Sequence, residues 1–192
     1  GLEREVARAF SIRKTLLVDS SECALAKIKN RQEFEILQAD IEKVLKIPWR
    51  PSLVTCMDVL EHLENDDRVL NNLSEQLAPG GLLVLSVPSH RFLYSGWDRV
   101  LGHKRRYSQK DLKRKVTGAG LAIERICHVW SFMVLLAPYR WFTPSKQLKA
   151  EFPRVSRITN QLLIELGRIE RKLSEWITIP VGTSLILSAK KR

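Results

Sequence analysis

Short apolar runs alternate with longer stretches in which apolar residues recur every third or fourth position, along nearly the whole chain. Runs bounded by turn residues predict strands, and the longer spacing predicts amphipathic helices. Residues 15–18, 34–37, 53–57, 81–87, 121–128 and 183–189 read as strands. Residues 64–77 put Val69, Leu70, Leu73 and Leu77 on one helical face. Residues 154–176 space Ile158, Leu162, Leu166, Ile169 and Leu173 in the same way. Residues 2–10, with Leu2, Val6 and Ala9 apolar, read as a further helix, and so do residues 23–30 behind Ser20-Ser21-Glu22. Ser108, with Asp111 three positions on, opens another helix that runs to Thr117 and stops at Gly118-Ala119-Gly120.

Strand, helix, glycine turn, strand is the order of a parallel α/β sheet. Its clearest instance is Val-Thr-Cys-Met-Asp-Val-Leu-Glu-His-Leu at residues 54–63, an apolar run that closes on Asp58. Glu61 and His62 are expected in the first turns of the helix that follows. Pro79-Gly80-Gly81 then turns into a second run that ends at Pro88. Ligands of such sheets bind outside the carboxyl ends of the strands, where Asp58 and residues 87–90 lie. The last two strands, separated by a helical excursion over residues 129–177, fit an antiparallel hairpin closing the sheet.

A chain of 192 residues with 44% hydrophobic content makes one domain with a real core. The apolar stretch 129–142 is too short for a bilayer span of about 20 residues. A net charge of +11 favours acidic partners: nucleic acid, anionic lipid or phosphorylated substrates. Cys23, Cys56 and Cys127 have neither metal-ligand spacing nor a disulfide framework. They read as reduced thiols of a cytoplasmic protein, and no metal site is expected.

The Asp58–His62 and Pro79–Gly81 segments resemble class I S-adenosylmethionine-dependent methyltransferases of the small-molecule type, and the likeness covers about residues 1–128 and 178–190. The resemblance implies a Rossmann-like, doubly wound, mostly parallel seven-stranded sheet with an antiparallel terminal hairpin. It also implies a first strand and a glycine-rich loop before residue 2, with Gly1 as the loop's last glycine, so the natural chain is expected to begin upstream. The implied cofactor is S-adenosyl-L-methionine, and its expected contacts are Gly1, Asp19, Ser20, Asp40, Ile41, Met57 and Asp58. Asp19 would accept the ribose hydroxyls, although a strand-end Asp also caps a following helix. Asp40 would receive the adenine amino group, with the Ile41 amide at a ring nitrogen. Met57 and Asp58 would lie near the methionine moiety and its sulfonium.

A base is needed only where the methyl acceptor is a hydroxyl or a protonated amine. His62 and His103 are the catalytic candidates, because a neutral imidazole takes a proton near neutral pH. His62 also fits a packing role, since Leu-Glu-His-Leu recurs in the resembling family across many substrates. Between residues 91 and 125, ten Lys and Arg stand against three acids. Some members of the resembling family carry a similar Gly-His-x-Arg-Arg-Tyr segment. By position, Pro88, His90, Trp97, Arg105, Arg106 and Tyr107 are the expected substrate contacts, with the two arginines gripping a phosphate or carboxylate. The alternative is a solvated basic loop that caps the next helix, with Tyr107 packed beneath it.

These readings point to methyl transfer onto a small-molecule or lipid- or sugar-linked acceptor, anionic where it meets the basic segment. Trp130 and the residues after it also suit a peripheral membrane contact. An RNA methyltransferase is the weaker alternative, since no Asn/Asp-Pro-Pro-aromatic motif follows the strand at 53–57. A non-catalytic relative with a decayed cofactor site is the third.

Overall fold

The strands that end at Met57, Pro88 and Val129 are each followed by a residue of positive φ, and these turns decide what that edge of the sheet presents. In the computed structural model of the chain, residues 14–27, 34–43, 47–136 and 156–192 are described. They belong to two compact units, Gly1–Lys46 and Ile47–Arg192. Gly1, the helix expected over 2–10, the end of the helix expected over 23–30, and much of the 129–177 excursion lie outside the described residues.

In the first unit, β1 (Leu16–Asp19) and β2 (Glu35–Gln38) pair in parallel, with Leu16 opposite Glu35 and Asp19 opposite Gln38. Between them α1 (Glu22–Ala26) starts at Ser21, whose hydroxyl accepts the Ala24 amide at 3.2 Å. Such a cap satisfies one of the amides that a helix start leaves unpaired. Parallel pairing puts the carboxyl ends of both strands on one edge, with Asp19 at the end of β1 and Asp40 just past β2.

The second unit holds β3 (Leu53–Met57), β4 (Leu82–Pro88), β5 (Leu121–Val129) and β6 (Ser184–Lys191) in the order β3-β4-β6-β5. β3 and β4 are parallel, and β6 runs antiparallel to both β4 and β5, which is the expected terminal hairpin. β3, β4 and β5 therefore share a direction, and their carboxyl ends lie along one edge. Leu83, Leu85 and Val87 of β4 sit opposite Ala189, Leu187 and Leu185 of β6, and all six are fully buried. A fully buried Leu stabilises by roughly 1.5–3 kcal/mol, so this face is the structural centre of the unit.

α2 (Asp66–Gln76) links β3 to β4 and buries Val69, Leu70 and Leu73 as the spacing predicts, with Leu77 buried at its C-cap. The helix was expected over 64–77, with Glu61 and His62 in its first turns. Instead Leu60–His62 form a separate 3₁₀ turn, and Leu63 is extended. Two bonds cause the break. The Glu61 carbonyl accepts the Lys104 amide at 2.8 Å, so it is not used by a continuing helix. Asn65 caps α2 through the Arg68 amide at 2.9 Å.

Two helices follow β4: α3 (Gly96–Val100), which the sequence reading missed, and α4 (Gln109–Gly118), capped by Ser108 as expected through the Asp111 amide at 3.1 Å. α5 (Arg157–Leu173) precedes β6. Its apolar stripe, including Ile158, Leu162, Ile169 and Leu173, is exposed.

Asp58, His90 and Trp130 have φ of 51°, 58° and 61°, and each lies just past the carboxyl end of β3, β4 or β5. For residues with a Cβ this conformation costs about 1–2 kcal/mol, and such strain clusters at functional edges.

Candidate functional site

The strained turn at Asp58 brings the next residues back under the sheet edge. The Asp58 amide is shared between the Ser86 carbonyl and hydroxyl, both 3.0 Å away, which ties the end of β3 to β4. Leu60 and Glu61 are then fully buried, whereas His62 is exposed. Neither carboxylate oxygen of Glu61 has a hydrogen-bond partner. Burial pushes its pKa up to about 7, and the Asp58 charge adds to the effect. Its own amide, together with His103 and Arg106, pulls in the opposite direction, although that amide does not reach hydrogen-bond geometry. Nearby, burial and the charges of Glu61 and Asp58 push the Cys56 thiol up to about 12, so it is inert as a nucleophile.

The segment 95–107 is built around Asp98, which is fully buried. Its Oδ2 accepts the Ser95 amide at 2.8 Å and the Ser95 hydroxyl at 3.2 Å. Its Oδ1 accepts Arg106 Nε at 2.7 Å and faces His103 Nδ1 at 3.1 Å. Burial alone would raise the Asp98 pKa, but His103 and Arg106 outweigh it and hold the carboxyl far below the usual carboxylate range. Asp98 is therefore ionised, and His103 Nδ1 must carry the proton that bridges them. Gly102, at φ 77°, makes the turn that lets the His103 amide reach back to the Asp98 carbonyl at 2.8 Å. The Gly102 carbonyl lies 3.2 Å from His62 Nδ1. A carbonyl can only accept, so His62 Nδ1 also carries its proton. Burial and the neighbouring His103 lower the His62 pKa, which favours the neutral ring.

With Nδ1 protonated on both rings, a neutral ring offers its Nε2 as an acceptor. The rings of His62 and His103 meet edge to face at 4.8 Å between centroids. One donor atom each from Glu61, His62 and His103 lies within 4.8 Å of the others. The sequence pattern could place neither His103 beside His62 nor Asp98 behind His103. The Ser95–Asp98 spacing of a capping box was the one local sign of Asp98.

The remaining candidates separate clearly. Arg106 is 5% exposed, and its guanidinium is spent on Asp98 and the Ser89 carbonyl, the latter at 3.1 Å. It is a structural residue and not a free grip for an anion. Arg105 donates to the Leu63 and Glu64 carbonyls, both at 2.9 Å, and pairs with Asp66 at 3.2 Å. Tyr107 is 2% exposed; its hydroxyl donates to Asp66 at 2.8 Å, with the Leu60 carbonyl 3.1 Å away. The reading of Arg105, Arg106 and Tyr107 as substrate contacts thus gives way to a clamp that holds residues 60–66 in place. Pro88 is buried in β4, and Trp97 and His90 are partly exposed. His90 stacks on His128 at 5.0 Å.

A cleft of about 310 Å³ is lined by Arg91, Tyr94, Lys104, Arg105, Arg106, Tyr107, Asp111 and Lys115. Its cations are all paired: Arg91 with Asp111, Lys104 with Glu64, Arg105 with Asp66, Arg106 with Asp98, and Lys115 with Asp66 and Asp67. The cleft does not include the Glu61–His62–His103 cluster, in which both carboxylate oxygens of Glu61 lack a partner; among the other described residues the buried Nε2 of His90 lacks one as well.

Asp66 anchors the clamp and gives a pH test. Burial would raise its pKa, but Lys115, Tyr107 and Arg105 outweigh that and hold it below its ordinary 3.8. A depressed carboxyl stabilises the fold above its unfolded pKa, and this contribution is lost as pH falls through the lower folded value. Asp66→Asn is expected to cost about 1.5–3 kcal/mol at neutral pH, the worth of charge-assisted hydrogen bonds. It should also flatten the loss of stability below pH ~4. Urea unfolding of both proteins at several pH values checks this; parallel profiles would refute it.

In the first unit, Asp19 is exposed and its Oδ1 accepts the Ser21 amide at 2.8 Å. Asp40 is exposed and its Oδ1 accepts the Glu42 amide at 3.0 Å. Ser20 is exposed beside Asp19, and its carbonyl faces Gln38 Nε2 at 3.4 Å. Ile41 and Met57 are partly exposed, and Asp58 is exposed.

The sheet order, the antiparallel last strand and the acidic strand ends define the class of S-adenosylmethionine-dependent α/β methyltransferases. The chain belongs to the methyltransferase-domain family, whose model matches residues 3–126. Among solved structures, a Mesorhizobium loti S-adenosylmethionine-dependent methyltransferase shares the fold, with a TM-score of 0.62 and 17% identity, over 100% of this chain and 86% of that one. The N-methyltransferase NodS of Bradyrhizobium japonicum, solved with S-adenosyl-L-homocysteine, has a TM-score of 0.54 and 13% identity, over 93% of this chain and 67% of that one. A ubiquinone biosynthesis O-methyltransferase of Coxiella burnetii is 34% identical over 80 residues, 39% of this chain and 34% of that protein. An uncharacterised Synechococcus protein is 35% identical over 81 residues, 42% of this chain and 18% of that protein. The matches thus span about a third of the Coxiella protein's length and about a fifth of the Synechococcus protein's. No helix among the described residues is long and apolar enough to cross a membrane.

Proposed function

We propose that this chain transfers a methyl group from S-adenosylmethionine to an oxygen of a small-molecule or lipid- or sugar-linked acceptor, in the cytoplasm. The observation that carries the reading is the Asp98–His103 pair beside Glu61 and His62. A methyl acceptor that arrives as a hydroxyl must lose a proton, and a positioned imidazole supplies a place for it. Asp98 holds His103 in the tautomer whose Nε2 accepts, and the Gly102 carbonyl does the same for His62. The Coxiella relative, named as an O-methyltransferase, supports oxygen as the acceptor atom.

Asp19 and Asp40 would hold the nucleoside of the cofactor. Both are exposed carboxylates at carboxyl strand ends, each oriented by a backbone amide. That chemistry fits ribose hydroxyls and an exocyclic amine as donors. The bound cofactor supplies a methyl carbon already activated on a sulfonium, so the protein contributes alignment and proton acceptance. Asp19→Ala is expected to weaken S-adenosylhomocysteine binding about 10–100-fold, the loss of charge-assisted hydrogen bonds. Calorimetric titration of the full-length protein measures this. No binding by a folded wild-type protein would overturn the enzyme reading.

The exposed stripe on α5, with Arg157, Arg168, Arg171 and Lys172 on the same helix, favours an acceptor presented at a membrane surface. Nucleic acid finds less support, because the cations of the basic cleft are already paired.

A further inference from the structure

We infer that Glu61, His62 and His103 form a site for a single divalent cation of borderline character, of the zinc or cobalt type, at the methyl-acceptor position. The inference rests on the proposed methyl transfer; with an ion bound, the Nε2 atoms of His62 and His103 are ligands, and the cation takes over from the imidazoles in activating the acceptor. No metal site was expected from the sequence, where His103 stands far from Glu61 and His62 and the cysteines lack ligand spacing.

Three observations carry it. First, the donor set is two imidazoles and one carboxylate, a combination that suits zinc, cobalt and iron over the hard cations. Second, both imidazoles are already prepared as ligands. A metal-binding histidine usually donates its other ring N–H to a carboxylate or carbonyl. His103 Nδ1 is bound to the buried Asp98 at 3.1 Å, and His62 Nδ1 to the Gly102 carbonyl at 3.2 Å. Third, Glu61 is fully buried, and both of its carboxylate oxygens lack a partner. A buried carboxylate without a hydrogen bond is costly unless it is neutralised or coordinated.

The spacing is close to what an ion requires. The donor atoms lie within 4.8 Å of one another. Ligands about 2.1 Å from a tetrahedral ion stand roughly 3.4 Å apart, so a modest inward movement completes the site. The exposed His62 side chain has room to make it. Three protein ligands on a partly exposed site leave a coordination position open, which is the pattern of catalytic and not structural zinc.

An acceptor oxygen in that open position would have its pKa lowered by the cation. Its proton would leave to solvent. The resulting alkoxide or phenolate would form the new O–C bond while the C–S bond breaks, with the electron pair remaining on sulfur. The products are the methyl ether, S-adenosylhomocysteine and one proton.

The test uses full-length protein stripped with a chelator and titrated calorimetrically with Zn²⁺ alone, with Co²⁺ absorption as a second readout. Wild type should bind one ion per chain, and Co²⁺ should give visible bands of mixed nitrogen and oxygen ligation. Glu61→Gln, a near-isosteric change in the interior, and His62→Ala, at the surface, should each weaken Zn²⁺ binding at least tenfold and abolish the Co²⁺ bands. No saturable uptake, or wild-type affinity in both variants, would overturn the inference. S-Adenosylhomocysteine is titrated into the same stripped sample. If it binds while no ion is taken up, the cation site fails and the methyltransferase reading stands. If the ion is taken up and the homocysteine compound does not bind, the methyltransferase reading fails instead.

Discussion

Replacing Asp98 with alanine is expected to destabilise the protein by about 3–5 kcal/mol, the cost of stranding a buried charge. Asp98 is fully buried and accepts from Ser95, His103 and Arg106. Without it, the Arg106 guanidinium stays in a site that is only 5% exposed, with the Ser89 carbonyl as its remaining partner. The cap of α3 is lost in the same step, which adds to the penalty. Urea unfolding measures the effect, with the exposed Arg99→Ala as a control expected to stay within about 0.5 kcal/mol of wild type. A cycle sharpens the test. Asp98→Ala combined with Arg106→Met removes both charges, so the double variant should be more stable than the sum of the single losses by about 0.5–3 kcal/mol. Strict additivity, or an Asp98→Ala loss under about 1 kcal/mol, would mean that the pair is not the keystone of the segment.

The second large effect is on turnover. His103→Gln is expected to lower kcat about 10²–10⁴-fold, the usual contribution of a positioned proton acceptor. The Gln amide can still donate to Asp98, so the fold should survive. It cannot take a proton or bind a cation as imidazole does. Affinity for S-adenosylhomocysteine should stay within about twofold of wild type, because a residue that acts on the acceptor affects the chemical step and not cofactor binding. Single-turnover methylation, once an acceptor is identified, reads the first quantity, and calorimetry reads the second. A rate within tenfold of wild type would remove His103 from the chemistry.

Local pattern carried much of the fold. The Val69, Leu70, Leu73 and Leu77 stripe, the Pro79-Gly80-Gly81 turn and the Ser108 cap were all readable, because each depends on neighbours within a turn or two of chain. The errors have the same origin. Residues 61 and 62 look helical from their position before α2, yet an amide at Lys104 takes the Glu61 carbonyl and stops the helix. Arg105, Arg106 and Tyr107 look like substrate contacts because a basic, aromatic loop near a strand end usually is one. Their partners, at Asp66, Leu60, Leu63, Glu64, Ser89 and Asp98, are distant in sequence for all but the last. α3 was missed because five residues are too few to show a period.

By itself, then, the sequence determined the α/β order of elements, the acidic residues at the strand ends and the family, since period and turn chemistry are local and repeat along the chain. Only the tertiary structure decided which polar residues are committed and which remain available. Arg106 and Tyr107 are consumed by buried partners, while Glu61, His62 and His103 converge with donor atoms unspent. That division depends on which side chains desolvate one another, and desolvation is settled by packing between segments that the linear chain keeps apart.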